Sequence, residues 1–269
     1  MHYQIVAKIL GVLLMLFSVT LLPSMGVSLW YDDKAITGFI SAFFLTAVTG
    51  LIFWFPFRRF KKEIRTRDGF FITVMFWTVL SLFGALPFLL AEDQSSLSLT
   101  DAVFESVSGL TTTGATVITD INHLPRSILY YRQQLQWLGG IGIIVIAVAI
   151  LPMLGIGGMQ LYRAETPGPV KDSKLTPRIT ETAKSLFFLY VGLTIACMLA
   201  YWAAGMTLFD AIGHSYSTVA IGGFSTHDES IGYFNNPLIM LVCIFFMLVS
   251  GINFALHFQV WKNKRIIQY

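Results

Sequence analysis

Long apolar runs separated by short polar segments dominate this 269-residue sequence. Six of the runs are long enough to cross the hydrocarbon core of a lipid bilayer, which is about 30 Å thick. The six predicted spans comprise residues 5–29, 36–57, 69–90, 128–154, 185–204 and 238–261. Apolar residues make up 55% of the sequence and charged residues 12%, against about 25% charged residues in a soluble domain. The pattern predicts an all-α membrane protein with six transmembrane helices.

Positive charge is concentrated between the apolar runs and indicates how the chain is oriented. The loop 58–67 (RRFKKEIRTR) contains six basic residues and one acidic residue, so the positive-inside rule predicts that it is cytoplasmic. Alternation of the spans then predicts that both termini are cytoplasmic, together with the basic segment 162–184. The net charge of +3 therefore reports membrane orientation and does not indicate nucleic-acid binding. The first run predicts a membrane anchor, since no clear signal-peptide cleavage site follows it.

One segment of the sequence occurs twice. Residues 98–116 (SLTDAVFESVSGLTTTGAT) recur in degenerate form as residues 207–225 (TLFDAIGHSYSTVAIGGFS), at a constant offset of 109 residues. The identical pairs are Asp101/Asp210, Ala102/Ala211, Ser106/Ser215, Ser108/Ser217 and Gly114/Gly223. Both copies lie between two predicted spans, on the side that the positive-inside rule assigns to the outside. Neither copy can span the membrane, because one added span would place a basic cluster on the wrong side.

Each copy predicts a short helix that enters the membrane and ends near its midplane. The helix begins at a Ser/Thr-x-x-Asp sequence, Ser98 to Asp101 and Thr207 to Asp210. There the hydroxyl can accept a first-turn N–H, and the carboxylate lies at the positive end of the helix dipole. About ten helical residues follow, which give a length of about 15 Å. Because irregular backbone at that depth is tolerated only where it lines a polar cavity, we predict two re-entrant pore helices with filter loops.

The loop after each predicted pore helix contains the candidate cation-binding residues. Backbone carbonyls can replace the hydration shell of a cation, and the C-terminal ends of both helices have negative partial charge. Gly114 and Gly223 supply backbone freedom at equivalent positions. The candidates are Thr111, Thr112, Thr113, Gly114 and Ala115 in the first loop and Ala220, Ile221, Gly222, Gly223 and Phe224 in the second. The alternative interpretation is that both are ordinary Ser/Thr/Gly loops joining transmembrane helices.

Three stretches of the sequence together resemble a known family. They are TTTGAT at 111–116, VAIGGFST at 219–226 and QWLGGIGIIVIAVAILPMLGIGGMQLYRAETPGPVKDSKLTPRI at 136–179. On these residues the chain is similar to the TrkH branch of the Trk/Ktr/HKT superfamily of potassium transporters. The resemblance implies repeated M1–pore helix–M2 units arranged as in a potassium channel, K⁺ as the transported ion, no organic cofactor, and uptake across the bacterial inner membrane. It also implies a homodimer and a cytoplasmic nucleotide-binding regulatory partner of the TrkA type, in contact with loops 58–67 and 162–184.

The same resemblance divides the chain into an N-terminal two-helix extension (1–67), a first M1–pore–M2 unit (68–161) and a second unit (162–269). The family pattern has third and fourth units, which close a fourfold ring of carbonyls. Those units are absent from this sequence, and we expect a truncated product rather than two chains that combine their units. The family's filter glycine matches Gly114 and Gly223, but the second loop lacks the threonines of the first. We therefore expect the second loop to bind the ion through backbone carbonyls and not through hydroxyls.

Two alternatives to a potassium-conducting pore remain open. A chain that conducts nothing could act only in membrane assembly, and a symporter would couple potassium uptake to a proton or sodium gradient. Glu105 and His214 occupy equivalent positions in the predicted pore helices and could couple protons, although hydrogen-bonded packing near the outer mouth is the more frequent role of such residues. No acidic residue lies within the core of a predicted span, which favours gated conduction.

The other polar, glycine and cysteine features have structural interpretations. Arg126 and Arg132 lie at the start of the fourth span, where arginines extend to the interface or bind loop carbonyls. The glycines at 139–142 (GGIG) and 155–158 (GIGG) lack the spacing of a nucleotide-binding loop and favour close helix contact or bending. Cys197 and Cys243 lie inside apolar runs, so we expect both to be small buried hydrophobic side chains rather than a disulfide. The sequence has no catalytic constellation or metal-ligand spacing, so an enzyme is not predicted.

Overall fold

The structure is a computed structural model that describes residues 3–60, 66–91, 97–149 and 179–252. Within these ranges the chain forms helices and connecting turns and no β-strand. The α-helices are α1 (Tyr3–Val19), α2 (Leu22–Tyr31), α3 (Ile36–Trp54), α4 (Thr66–Gly84), α5 (Leu86–Leu90), α6 (Leu99–Leu110), α7 (Arg126–Ala149), α8 (Ile179–Ala203), α9 (Leu208–Val219) and α10 (Pro237–Gly251). Short 3₁₀ turns cover Phe55–Phe57, Ile121–His123 and Ser230–Phe234. The predicted helical class is confirmed for the described residues.

Four stretches of the described chain are long and apolar enough to cross a membrane. They are Tyr3–Tyr31, Ile36–Phe57, Phe71–Leu90 and Lys184–Ala203, and they coincide with four of the six predicted spans. The first stretch is interrupted at residues 20 and 21, where α1 ends and α2 begins. The first predicted span is therefore two helices in sequence rather than one continuous helix.

The other two predicted spans correspond to α7 and α10. α7 has 24 residues, about 36 Å of helix at 1.5 Å per residue, but its hydropathy is lowered by polar side chains. Four of these are buried: Arg132, Gln133, Gln134 and Gln136. α10 is predominantly apolar over its 15 residues, and the predicted span continues to residue 261, beyond the described residues. The count of six spans stays a prediction.

Two glycines allow α1 and α3 to pack closely. A Cβ atom at Gly11 would lie 2.6 Å from the carbonyl oxygen of Gly50, and a Cβ at Gly50 would lie 2.7 Å from the carbonyl oxygen of Gly11. Small residues at equivalent contact positions are typical of helix pairs in membranes. Near the start of α1, the ammonium of Lys8 donates to the carbonyl of Phe60, 3.1 Å away. The start of α1 and the chain just after α3 therefore lie at the same end of the helix pair.

α7 has a central place in the described part of the fold, because it packs against both repeat helices, α6 and α9. Its first turn is fixed by Asp33, whose carboxylate accepts the backbone N–H of Ser127 at 2.9 Å and the Ser127 hydroxyl at 3.0 Å. One turn further on, the buried Tyr131 donates its hydroxyl to the carbonyl of Gly84 at 2.8 Å. These bonds hold the N-terminal half of α7 against α4 and against the turn between α2 and α3.

The glycines of the GGIG sequence produce both a close contact and a bend. A Cβ at Gly139 would lie 1.9 Å from the carbonyl oxygen of Leu110, at the end of α6. Gly142 has φ 49° and ψ −144°, a non-helical conformation that kinks α7. The prediction of close contact or bending is confirmed here, while the second glycine cluster, at 155–158, lies outside the described residues.

Several predicted features lie outside the described residues. They are residues 61–65 of the basic loop 58–67, the segment 162–178, the boundary between the two predicted units at 161 and 162, and the basic C-terminal segment after residue 252. The division into an extension and two units therefore stays a prediction. Both cysteines lie in described helices and are free thiols, with Cys197 buried and Cys243 half-buried.

Candidate functional site

The two repeat helices begin in the way the sequence predicts. Ser98 accepts the backbone N–H of Asp101 at 3.2 Å, and the Asp101 carboxylate accepts the backbone N–H of Ser98 at 3.2 Å, which completes a capping box. In the second copy, the Thr207 hydroxyl oxygen accepts the N–H of Asp210 at 3.1 Å. α6 and α9 each have 12 residues, about 18 Å of helix, against about 30 Å for a hydrocarbon core. The lengths agree with helices that reach only part of the way across a bilayer.

The ends of α6 and α9 repeat the same hydrogen bonds at the same offset of 109 residues. Thr113 N–H donates to the Ser108 carbonyl at 2.9 Å, and Gly222 N–H donates to the Ser217 carbonyl at 2.8 Å. One residue earlier, the distances are 3.0 Å from Thr112 N to Gly109 O and 3.1 Å from Ile221 N to Thr218 O. The two helices therefore terminate identically although their side chains differ.

The residues that follow these helices also share an unusual backbone conformation. We call residues 111–115 the first strip and residues 220–224 the second strip. The second position of each strip has positive φ, 54° at Thr112 and 53° at Ile221, and so does the fourth, 75° at Gly114 and 89° at Gly223. A β-branched residue in the left-handed region is a genuine outlier and costs about 1–2 kcal/mol. Such strain persists where the surrounding structure dictates the backbone, which is common at functional sites.

The two strips contact each other directly through their backbones. A Cβ at Gly114 would lie 1.9 Å from the carbonyl oxygen of Gly222, a distance that only glycine can accommodate. Residues 111, 113 and 115 of the first strip and residues 221 and 223 of the second are exposed in the structure. The two strips therefore lie side by side at the ends of two short helices, in contact at Gly114 and Gly222.

A comparison with protein families identifies what this arrangement belongs to. The family described as TrkH, cation transport protein, matches residues 35–269. This chain belongs to the TrkH family. The match includes both strips, both repeat helices and α7.

Individual TrkH proteins are similar along the whole chain. The Trk system potassium uptake protein TrkH of Halomonas elongata is 60% identical over 269 residues, which is 100% of this chain and 56% of that protein. The protein of the same name from Escherichia coli K12 is 55% identical over the same 269 residues, again 100% of this chain and 56% of its own length. The chain thus spans about half the length of the curated relatives that it matches.

A solved structure supports the same fold. The crystal structure of the potassium transporter TrkH from Vibrio parahaemolyticus superimposes with a TM-score of 0.83 at 54% sequence identity. The superposition covers 98% of this chain and 53% of that chain. The helical arrangement described above is therefore that of the corresponding part of a TrkH protein.

Within this TrkH-family fold, Arg132 of α7 connects the residues that directly follow the two strips. Its Nε donates to Glu105 Oε1 at 2.8 Å, and its Nη2 lies 2.7 Å from the same oxygen. Nη2 also lies 3.1 Å from the hydroxyl of Thr116, directly after the first strip. Nη1 donates to the backbone carbonyl of Ser225, directly after the second strip, at 3.1 Å. The predicted binding of a loop carbonyl by this arginine is confirmed.

The second strip has an additional support from α7. The side-chain oxygen of Gln136 accepts the backbone N–H of Phe224 at 3.0 Å, and both residues are buried or nearly so. Gln136 follows Arg132 by four residues, so both side chains lie on the same face of the helix. The Arg132 guanidinium also lies 4.4 Å from the centre of the Phe224 ring, in cation–π geometry.

Glu105 and His214 make equivalent contacts in the two copies. The Thr116 hydroxyl lies 3.0 Å from each carboxylate oxygen of Glu105, and the Ser225 hydroxyl lies 2.9 Å from His214 Nε2. His214 Nδ1 lies 2.8 Å from the carbonyl oxygen of Asp210, so Nδ1 carries a proton. Of the two interpretations for these residues, hydrogen-bonded packing describes what the structure contains.

Polar side chains beyond the second strip join the two copies of the repeat. Asp228 accepts the backbone N–H groups of Ile121 at 3.0 Å and Asn122 at 3.3 Å, which ties the second copy to the 3₁₀ turn after the first strip. His227 stacks on Tyr233, with ring centres 3.6 Å apart, and its Nδ1 lies 3.1 Å from the Asn122 side-chain oxygen. These contacts join the segments after the two strips across a separation of more than 100 residues.

The surroundings of His227 and His123 shift the pKa values of these two histidines in opposite directions. Burial lowers the pKa of His227 below its ordinary value of 6.5, although the nearby Asp210 carboxylate acts in the opposite direction. The exposed His123 donates a hydrogen bond from Nδ1 to the Asp120 carboxylate at 2.5 Å, and this bond together with the negative charge raises its pKa. The two side chains therefore change charge over different pH ranges.

Proposed function

We propose that this chain forms part of a potassium-conducting pore in which backbone carbonyls of the two strips bind the ion. The observation that carries the proposal is the shared geometry of the strips. Each begins at the end of a half-length helix, has left-handed residues at its second and fourth positions, and contacts the other strip at Gly114 and Gly222. The strips have different side chains, so the common feature is the backbone, and backbone carbonyls are the ligands of potassium filters.

Potassium is the proposed ion because the similar proteins of Halomonas elongata and Escherichia coli are Trk system potassium uptake proteins. The C-terminal ends of α6 and α9 both lead into the strips and supply negative partial charge, which attracts a cation and repels an anion. Of the alternatives open from the sequence, a pore is supported over a purely structural assembly role, because an assembly surface does not require two equivalent strained strips.

The proposed setting is the inner membrane of a bacterium, with both termini cytoplasmic. This orientation places the basic loop 58–67 inside, in agreement with the positive-inside rule, and it places the acidic outer mouth around Asp210 and Asp228 outside. We propose that a nucleotide-binding regulator of the TrkA type acts from the cytoplasmic side and that the complete protein is a homodimer. The name Trk system, borne by the relatives, is consistent with a set of cooperating subunits.

We further propose gated conduction and not symport. A symporter based on Glu105 or His214 would need a side chain free to exchange protons during transport. Glu105 is buried in an ion pair with Arg132, and both ring nitrogens of His214 have hydrogen-bond partners. Uptake that the membrane potential drives without a sodium or pH gradient would support this choice. Uptake that stops when sodium is removed, or when the pH gradient is abolished at constant potential, would favour symport.

The proposed pore is tested by rubidium uptake in cells that lack their own potassium transporters and express the complete gene product. The parent protein should restore uptake, and Gly114→Ala should abolish it, because the added Cβ collides with the Gly222 carbonyl oxygen. The control is Gly192→Ala, since a Cβ at this helical glycine meets no heavy atom of the described chain within 4 Å. Uptake by Gly114→Ala at the parent's rate, with equal protein in the membrane, would refute the proposal.

A further inference from the structure

A buried arginine stands between the two strips and contacts residues of both copies. Arg132 and Glu105 are both fully buried, at 0% exposure. The arginine reaches the first copy through Glu105 and Thr116 and the second copy through the Ser225 carbonyl. Removing a guanidinium from water is costly, and a well-packed apolar side chain would be as stable or more stable at such a place. Stability alone therefore does not account for a charge pair at this place.

The guanidinium is suited to fixing a distance. It is planar, and its donors point in fixed directions, so the bond from Nε to Glu105 determines where Nη1 and Nη2 lie. Nη1 then holds the Ser225 carbonyl, and Nη2 holds the Thr116 hydroxyl, both at 3.1 Å. The outer ends of the two strips are therefore held apart by one rigid group.

The inner ends of the strips are held separately. In the first strip, the Thr113 N–H donates to the Ser108 carbonyl of α6. In the second strip, the Gly222 N–H donates to the Ser217 carbonyl of α9. Each strip is thus anchored at its inner end by its own helix and at its outer end by Arg132. A strip anchored at both ends cannot easily change the separation of its carbonyls from those of its neighbour.

We infer that Arg132 is a positioning residue that sets the spacing of the two strips and thereby the preference for potassium over sodium. This inference rests on the proposed function. Discrimination between these ions depends on the size of the carbonyl cage or on the number and flexibility of its carbonyls, and either depends on how firmly the strips are held. Arg132 does not itself touch the ion. Glu105 balances its charge, so that the positioning group does not repel the cation it serves.

The decisive variant is Arg132→Lys. Lysine keeps the positive charge beside Glu105 but has a single ammonium, which cannot reach Glu105, Thr116 and the Ser225 carbonyl in the fixed directions of a guanidinium. The complete gene product is expressed in cells lacking their own potassium uptake, and the ratio of potassium to sodium transport is measured by competition against rubidium uptake. Loss of one charge-assisted hydrogen bond to the strips predicts a fall in this ratio of about tenfold or more.

Arg126→Lys is the matched control, since Arg126 lies six positions earlier, at the start of the same helix, and places its guanidinium over the Phe209 ring, 5.1 Å away. Its ion preference should equal that of the parent. A reduced ratio in Arg132→Lys alone, at normal membrane abundance, supports the inference. A parental ratio in Arg132→Lys overturns it, whether or not the total rate has fallen, because a purely structural role changes the amount of active protein and not its ion preference.

A second pair of variants decides the matter if Arg132→Lys does not accumulate in the membrane. Thr116→Val removes the hydroxyl that Nη2 holds, while Thr116→Ser retains it. A lower potassium preference in Thr116→Val, restored in Thr116→Ser, supports the inference, and equal preference in both overturns it. If the parent protein itself transports no potassium, the proposed function fails, and this inference fails with it.

Discussion

Thr112 and Ile221, 109 positions apart in the sequence, have the same left-handed backbone conformation, with φ of 54° and 53°. One is polar and the other is apolar, and both are β-branched, the type of residue least suited to positive φ. Local sequence preference therefore does not explain the conformation. The equivalent hydrogen bonds at the ends of α6 and α9 place both residues in this conformation.

Glycine at either position should relieve this strain. We expect Thr112→Gly and Ile221→Gly to keep or slightly raise the apparent melting temperature, because relief of about 1–2 kcal/mol of left-handed strain outweighs a glycine entropy penalty of about 0.5–1 kcal/mol. Thr113→Gly is the control, since Thr113 does not have positive φ and donates or accepts a hydroxyl bond with Thr111 at 2.8 Å. Thr113→Gly should lower the melting temperature in detergent. Equal losses in all three variants would contradict the strain argument.

The ion pair of Glu105 and Arg132 predicts a strongly non-additive pair of substitutions. Glu105→Gln leaves a buried guanidinium without its counter-charge and should cost about 3–5 kcal/mol of stability. Arg132→Gln should cost a similar amount, because the buried carboxylate is then unpaired. The double variant should lose less stability than the sum of the two single losses, as measured by thermal unfolding of the purified protein. Strict additivity would show that the two charges do not depend on each other.

The caps of the two repeat helices predict unequal losses. Ser98→Ala removes an exposed cap and should cost about 1 kcal/mol. Each hydroxyl also donates to the carboxylate of its own cap, Ser98 to Asp101 at 2.7 Å and Thr207 to Asp210 at 2.6 Å. Thr207→Ala should cost more, because Asp210 is buried and loses a partner that water does not replace. Thr100→Ala, at an exposed position in the first turn of α6, should change stability little. Thermal unfolding of the three variants ranks the effects, and a larger loss for Ser98→Ala than for Thr207→Ala would reverse the expected order.

The histidines of the outer mouth should titrate on opposite sides of pH 6.5. Because burial lowers the pKa of His227, the unfolded chain binds more protons than the folded chain between that lowered pKa and 6.5. Stability from His227 should therefore be fully present above pH 6.5 and fall as the pH drops through its lowered pKa. The raised pKa of His123 has the reverse effect, with its contribution present below 6.5 and lost as the pH rises. Histidine-selective NMR titration distinguishes the two, and a midpoint for His227 above that of His123 would contradict the assignment.

The sequence was sufficient to predict the parts of the site that depend on local chemistry. The Ser98 and Thr207 caps, the short helices and the glycines of the strips follow from residue types at fixed spacing, and the repeat at one offset indicated that both copies fold alike. The break between α1 and α2 was missed, because residues 20 and 21 lie within a continuous apolar run. Hydrophobicity alone does not report a helix break, but Pro23, in the first turn of α2, is a signal that could have located it.

The role of Arg132 at the centre of the site could be anticipated only in part. The spacing of Arg132 and Gln136 in an apolar span places two polar groups on one helix face, which indicates buried partners. It does not identify them, since Glu105 lies 27 residues away and Ser225 lies 93 residues away. Pairing across such separations is decided by tertiary packing.

The location of Arg132 makes the two copies of the repeat unequal. The helix that follows the second strip, α10 (Pro237–Gly251), contains no arginine and supplies no equivalent guanidinium. The second strip therefore depends on an arginine from the helix that follows the first strip. His214, in the place of Glu105, requires no counter-charge of its own. Both strips therefore depend on one arginine, and a change at Arg132 alters the contacts of the residues that follow both of them at once.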